Sequence, residues 1–79
     1  MIYLLEDDES IRNFVEYALN NSGIESQGFE KPSDFWKAVD ERIPQLVILD
    51  VMLPEEDGLE VLKKLRGRSE TKKLPVIML

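Results

Sequence analysis

Three apolar tetrads constrain this chain more than anything else in it: Ile2 to Leu5, Leu46 to Leu49 and Val76 to Leu79 are continuous, with no polar residue alternating into them. A strand with one wet face alternates, whereas a strand covered on both faces reads as an unbroken run, as in parallel sheets sandwiched between helices. Ile24 to Phe29 is a fourth, more polar candidate. Its Gly28 and missing alternation suit an edge strand.

Between these runs the period changes. Ile11, Phe14, Val15, Ala18 and Leu19 fall at i, i+3, i+4, i+7 and i+8, the stripe of an amphipathic helix that Gly23 is placed to stop. A second helix is predicted to carry Pro32 in its first turn, to turn Phe35, Trp36, Val39 and Ile43 inward, and to end before Pro44. Trp36 is read as core. A third helix follows Asp57 as N-cap, with Leu59, Leu62 and Leu65 toward the sheet, Glu60 and Lys64 paired at i,i+4 outside, and Gly67 at its end. The stretch RGRSETKK, residues 66 to 73, reads as a solvated polar link.

Strands and helices thus alternate from start to end, and right-handed crossovers turn that order into a doubly wound α/β fold with a parallel sheet and helices on both faces. Ligands of such sheets collect outside the carboxyl ends of the strands, where strand order reverses. At 79 residues the chain makes one small domain with a thin core. It holds no cysteine and no histidine, which removes thiolate ligands, cysteine nucleophiles and the commonest general base. The net charge of −6 argues against a direct grip on nucleic acid or an anionic membrane. No apolar segment approaches the ~20 residues of a membrane span, so the expectation is a cytoplasmic domain.

Two of the apolar runs end in acid. Ile2 to Leu5 deliver Glu6, Asp7 and Asp8, and Leu46 to Leu49 deliver Asp50. If the first and third strands are neighbours, Glu6, Asp7 and Asp50 converge. Two unit charges about 4 Å apart repel by roughly 4 kcal/mol at an effective dielectric of 20, so such a trio needs compensation, by a proton or by a divalent cation. Mg2+ suits an all-oxygen set and leaves positions for phosphoryl oxygens, beside which Asp50 can act as a nucleophile. Asp8 or Ser10 reads as the cap of the first helix. Asp50 is followed by Pro54 and Gly58 before the next helix, which leaves it on a loop.

Other motifs fail on spacing. A calcium loop over Leu53 to Lys64 would need those two residues as its first and last ligands, and the glycines at 23, 28, 58 and 67 form neither a dinucleotide fingerprint nor a P-loop. A haloacid-dehalogenase-like phosphatase wants a second aspartate where Met52 stands.

Together, LLEDDESIR, LVILDVMLPEEDGLEVLKKLR and LPVIML resemble the receiver domain of two-component response regulators along the whole chain. The resemblance implies a flavodoxin-like topology cut off after the fourth strand, so that residues 1–79 are an incomplete receiver domain with strands 1–4 and helices 1–3. It implies Asp50 as phosphoacceptor, and Mg2+ held by Asp7, Asp50 and the backbone carbonyl of Met52, with Glu6 acting through water. It further implies a sensor histidine kinase as phosphodonor, no turnover of substrate, and, from the style of RSETKKLPVIML, a C-terminal DNA-binding output domain outside this chain.

The family's hydroxyl residue after the fourth strand and its lysine on a fifth strand have no counterpart here: Ser69 and Thr71 precede the strand, and Lys63, Lys64, Lys72 and Lys73 belong to other elements. A non-catalytic interaction or folding fragment is the alternative reading. The fourth strand and the sheet face beside the first helix are expected to be uncovered, which favours self-association.

Overall fold

A computed structural model describes residues Met1 to Leu79. Four strands alternate with three helices: β1 (Ile2–Leu5), α1 (Glu9–Asn21), β2 (Ser26–Phe29), α2 (Pro32–Glu41), β3 (Leu46–Leu49), α3 (Gly58–Gly67) and β4 (Val76–Met78). The strands form one sheet in the order β2-β1-β3-β4, and every pairing is parallel. The predicted doubly wound layout is therefore present, ending at the fourth strand. Strand order reverses between β1 and β3, because the chain leaves β1 toward one side to form β2 and returns to its other side to form β3.

The pleat divides the core. Tyr3, Leu5, Val47 and Leu49 point to one face and bury there against Phe29, Phe35 and Val39 on the α2 side and Val61, Leu65 and Leu74 on the α3 side. Tyr3, Phe29 and Phe35 meet edge to face with centroids 5.2 to 6.3 Å apart, the geometry that aromatic quadrupoles favour. The Tyr3 hydroxyl donates to the Arg42 carbonyl at 2.9 Å, so its polar end is satisfied. On the opposite face Ile2, Leu4 and Ile48 are covered by Val15, Leu19 and Leu46. That smaller cluster is the whole of the core under α1, and only 18 of 79 residues are buried, which is the thin core the length predicts.

Several side chains depart from the helical stripes. In α1 only Val15 and Leu19 of the predicted five pack on the sheet; Phe14 is 72% exposed, and Ile11 and Ala18 are exposed as well. The reason is coverage: α1 packs beside β2, toward one edge of that face, and the Ile77 side of β4 stays exposed. In α3 the inward residues are Val61 and Leu65, with Leu62 half-buried, while Leu59 is 56% exposed. The helix is rotated relative to the leucine pattern because Gly58 is pressed against the end of β3. Lys64 pairs with Glu56, in the preceding loop, and not with Glu60. Ile43 lies beyond α2 and is exposed, and β2 begins at Ser26, leaving Ile24 outside it.

The 66–73 link is more structured than its composition suggests. Thr71 is buried and donates through Oγ1 to the Leu65 carbonyl at 2.6 Å, closing the end of α3. Arg68 lies over the Trp36 ring, 4.4 Å from its centroid, and pairs with Asp40 at 2.8 Å. Trp36 itself is half-buried and packs on Phe35, in line with its assignment to the core.

Candidate metal centre

The register of β1 against β3 builds the site. Ile2 pairs with Leu46 and so on to Leu5 with Leu49, so the next residue of each strand, Glu6 and Asp50, emerges at the same level on neighbouring strands about 4.8 Å apart. The Asp50 amide donates to the Leu5 carbonyl at 3.0 Å, and the Glu6 amide to the Phe29 carbonyl at 3.0 Å. Asp7 follows one step out. One carboxylate oxygen from each of Glu6, Asp7 and Asp50 lies within 4.8 Å of the other two, so the convergence expected from two acid-tipped strands is met.

The three carboxylates are not equivalent. Glu6 is only 3% exposed, whereas Asp7 and Asp50 are half-buried. Burial pushes the Glu6 pKa up from the ordinary 4.5 to about 7, helped by its hydrogen bond with the Asp50 side chain and by the charge of that neighbour, and opposed by the Asp8 amide. That amide donates to Glu6 Oε2 at 3.4 Å. The crowding thus favours the protonated form of Glu6. A divalent cation would supply the same compensation with more charge, and a set of oxygens without thiolate or imidazole fits Mg2+.

The elements around the trio hold it in place. Asp8 caps α1 by accepting from the Ile11 amide at 3.0 Å, which settles the choice between Asp8 and Ser10, and it is not one of the three converging carboxylates. After Asp50 the Met52 amide donates to Asp50 Oδ1 at 3.1 Å, which sets the backbone of Met52 beside that carboxylate while its side chain is exposed. The Gly58 amide then donates to the Val51 carbonyl at 2.9 Å, and Asp57 caps α3 through the Leu59 amide at 2.8 Å. A β-carbon on Gly58 would collide with the Asp50 carbonyl oxygen and sit 2.9 Å from the Asp50 carbonyl carbon. Only glycine lets α3 start this close to the strand end.

Three contributors were not singled out from the sequence. Arg12 donates to the Glu6 carbonyl at 2.8 Å and the Asp7 carbonyl at 3.4 Å. Helical side chains lean toward the N-terminus, so an arginine in the second turn after an acidic loop was the available signal. Glu56 anchors the loop after Asp50 by accepting from Trp36 Nε1 at 3.4 Å and pairing with Lys64. Lys31 joins Asp7, Glu30, Pro32, Pro54 and Glu55 around a cleft of about 190 Å3 that opens beside the carboxylates.

Known proteins share this arrangement. The sequence profile of the response regulator receiver domain matches residues 2–79. The chain is 37% identical over 78 residues to the transcriptional regulatory protein GltR of Pseudomonas aeruginosa and 38% identical over 78 residues to the phosphate regulon transcriptional regulatory protein PhoB of Rhizobium meliloti. Each alignment covers 99% of this chain and about a third of the relative, 32% and 34% respectively. The signal receiver domain of a signal transduction histidine kinase from Syntrophus aciditrophicus superposes with a TM-score of 0.93 at 26% identity, covering 99% of this chain and 59% of that one. With the parallel order β2-β1-β3-β4 and the acid-tipped central strands, these matches establish that the chain belongs to the response regulator receiver domain family of two-component signalling.

Proposed function

We propose that the chain is the phosphoacceptor switch module of a two-component phosphorelay, taking a phosphoryl group onto Asp50 from a sensor histidine kinase in a Mg2+-dependent step and regulating a transcriptional output. The observation that carries this reading is the convergence of Glu6, Asp7 and Asp50 at the carboxyl edge of β1 and β3. Asp7, Asp50 and the Met52 backbone carbonyl would hold the cation directly, and Glu6 through water. Bound there, Mg2+ supplies positive charge against which the equatorial oxygens of a transferring phosphoryl group are stabilised.

The chain's own groups do the rest. The Met52 amide donates to Asp50 Oδ1, which restrains the carboxylate and leaves its other oxygen to act as the nucleophile. Its attack forms an O–P bond to Asp50 while the P–N bond of the donor phosphohistidine breaks, and the departing imidazole keeps the electron pair and takes up a proton from solvent. No residue here acts as a general base, consistent with a histidine-free chain. A cleft bounded by Asp7, Lys31 and Pro54 lies on the Asp7 side of the cluster. The module is an acceptor and not a turnover enzyme. Both named relatives are transcriptional regulators in which the matched part is about a third of the length, which supports a separate DNA-binding output domain, and the net charge of −6 supports no direct nucleic-acid contact by residues 1–79. The receiver-domain family supports a cytoplasmic setting; no helix is long and apolar enough to cross a membrane.

The decisive experiment offers a small phosphodonor with and without Mg2+ and reads intact mass. Mg2+-dependent addition of one phosphoryl group, lost in Asp50→Ala, is the expected result; undiminished labelling of Asp50→Ala rejects Asp50 as acceptor. A second reading, a receiver fragment that keeps the scaffold for interaction without the reaction, is favoured by one observation: Asp50 faces no cationic partner, since the two ion pairs are Lys64–Glu56 and Arg68–Asp40. Absence of labelling despite Mg2+ uptake would select it.

A further inference from the structure

We infer that Arg12 is a positioning residue for the acidic cluster, a guanidinium that holds the main chain of Glu6 and Asp7 so that their carboxylates face a cation. This rests on the Mg2+ reading of the site. The construction joins three elements. Arg12 stands in α1, its stem crosses Gly28 of β2, and its Nη1 reaches the carbonyls of Glu6 at 2.8 Å and Asp7 at 3.4 Å just past the end of β1. A β-carbon on Gly28 would collide with Glu16 Oε1 and lie 2.7 and 2.8 Å from Arg12 Cγ and Cδ, so the glycine leaves room for both side chains, the Arg12 stem among them.

What the guanidinium leaves alone matters equally. Arg12 forms no ion pair, and its hydrogen bonds go to main-chain oxygens. An arginine bound to the carboxylates would occupy the oxygens a metal needs and oppose its entry. Held on the carbonyls, it orders the turn that carries two of the three acids while their ligand oxygens stay open. Positioning and plain electrostatics then predict opposite signs. Removing a cation near the cluster would tighten Mg2+ binding if charge were its only effect, and weaken it if Arg12 presets the geometry.

The test measures Mg2+ affinity of the full chain by calorimetry and by the emission of Trp36, its single tryptophan, alongside the Mg2+ dependence of Asp50 labelling. Arg12→Ala is expected to raise the Mg2+ dissociation constant about tenfold, the scale seen when a group supporting metal ligands is removed. Labelling recovers when Mg2+ is raised to saturation, and Arg12→Lys, which can still reach one carbonyl, falls between the two. Gly28→Ala, whose β-carbon crowds the Arg12 stem and the Glu16 carboxylate together, shifts the constant in the same direction, and Gly28→Ala combined with Glu16→Ala, which removes the second contact, retains that shift. An unchanged or tighter constant in Arg12→Ala with native circular dichroism overturns the inference. If Arg12→Ala does not fold, Arg12→Lys and Gly28→Ala decide by the same criterion. Failure of the wild-type protein to take up Mg2+ would instead overturn the reading of the site, and this inference with it.

Discussion

Glu6 is a carboxyl group whose protonated form is favoured by its burial in the fold. Its pKa in the fold, about 7, lies above the ordinary 4.5, so the folded chain binds this proton more tightly than the unfolded one. The stabilisation is complete below about pH 4.5 and is lost as pH rises through 7. Denaturant midpoints in Mg2+-free buffer are therefore expected to fall between pH 5 and pH 8. The loss is on the order of 1–2 kcal/mol once solvent screening around a partly open cluster is allowed for. Glu6→Gln flattens that slope. Added Mg2+ competes with the proton, so it raises the midpoint more at pH 8 than at pH 5. A second single-residue prediction concerns Gly58. Its hydrogen would be replaced in Gly58→Ala by a carbon that meets backbone atoms of Asp50 and Val51, which cannot swing aside as a side chain does. The expected cost is about 1–3 kcal/mol by thermal or denaturant unfolding, with displacement of α3 from the strand end and slower labelling of Asp50.

At the scale of the helix, α3 separates burial from hydrophobic pattern. Leu65→Ala removes a fully buried side chain and should cost about 2–5 kcal/mol, whereas Leu59→Ala, on the open side, should cost less than about 0.5 kcal/mol. Chemical denaturation of the two variants checks this directly. The pair also marks how far the sequence could be read. The strands, their parallel order and the meeting of Glu6, Asp7 and Asp50 were legible because unbroken apolar runs and strand-end acids are local signals, and parallel in-register pairing converts them into a site. The outward turn of Leu59 was not, because α3 takes its rotation from the contact of Gly58 with Asp50, which no periodicity records. For the same reason Lys64 found Glu56: the choice depends on where the preceding loop lies, not on spacing within the helix. Arg12 escaped notice because its partners are main-chain carbonyls, which have no sequence signature.

For the molecule as a whole, the sheet face that α1 shares is only half covered. Ile77 pairs in register with Ile48 on that face and is 48% exposed, with Leu79 exposed beyond it and Phe14 exposed on α1. A polypeptide of these 79 residues is accordingly expected to self-associate through this surface or the free edge of β4. In sedimentation its mean mass rises with concentration, and Ile77→Glu or Phe14→Glu shifts it toward monomer. A concentration-independent monomer that melts cooperatively would contradict this. The strand order has a consequence for how the molecule comes into being. β1, made before β2 and β3, is an interior strand of the sheet, flanked by both. As the nascent chain leaves the ribosome, Ile2 to Leu5 can be flanked on one side once residue 29 has emerged, but their other side waits for residues 46 to 49. Until then Asp50 has not come alongside Glu6, so the acidic cluster is assembled during synthesis only when the third strand docks.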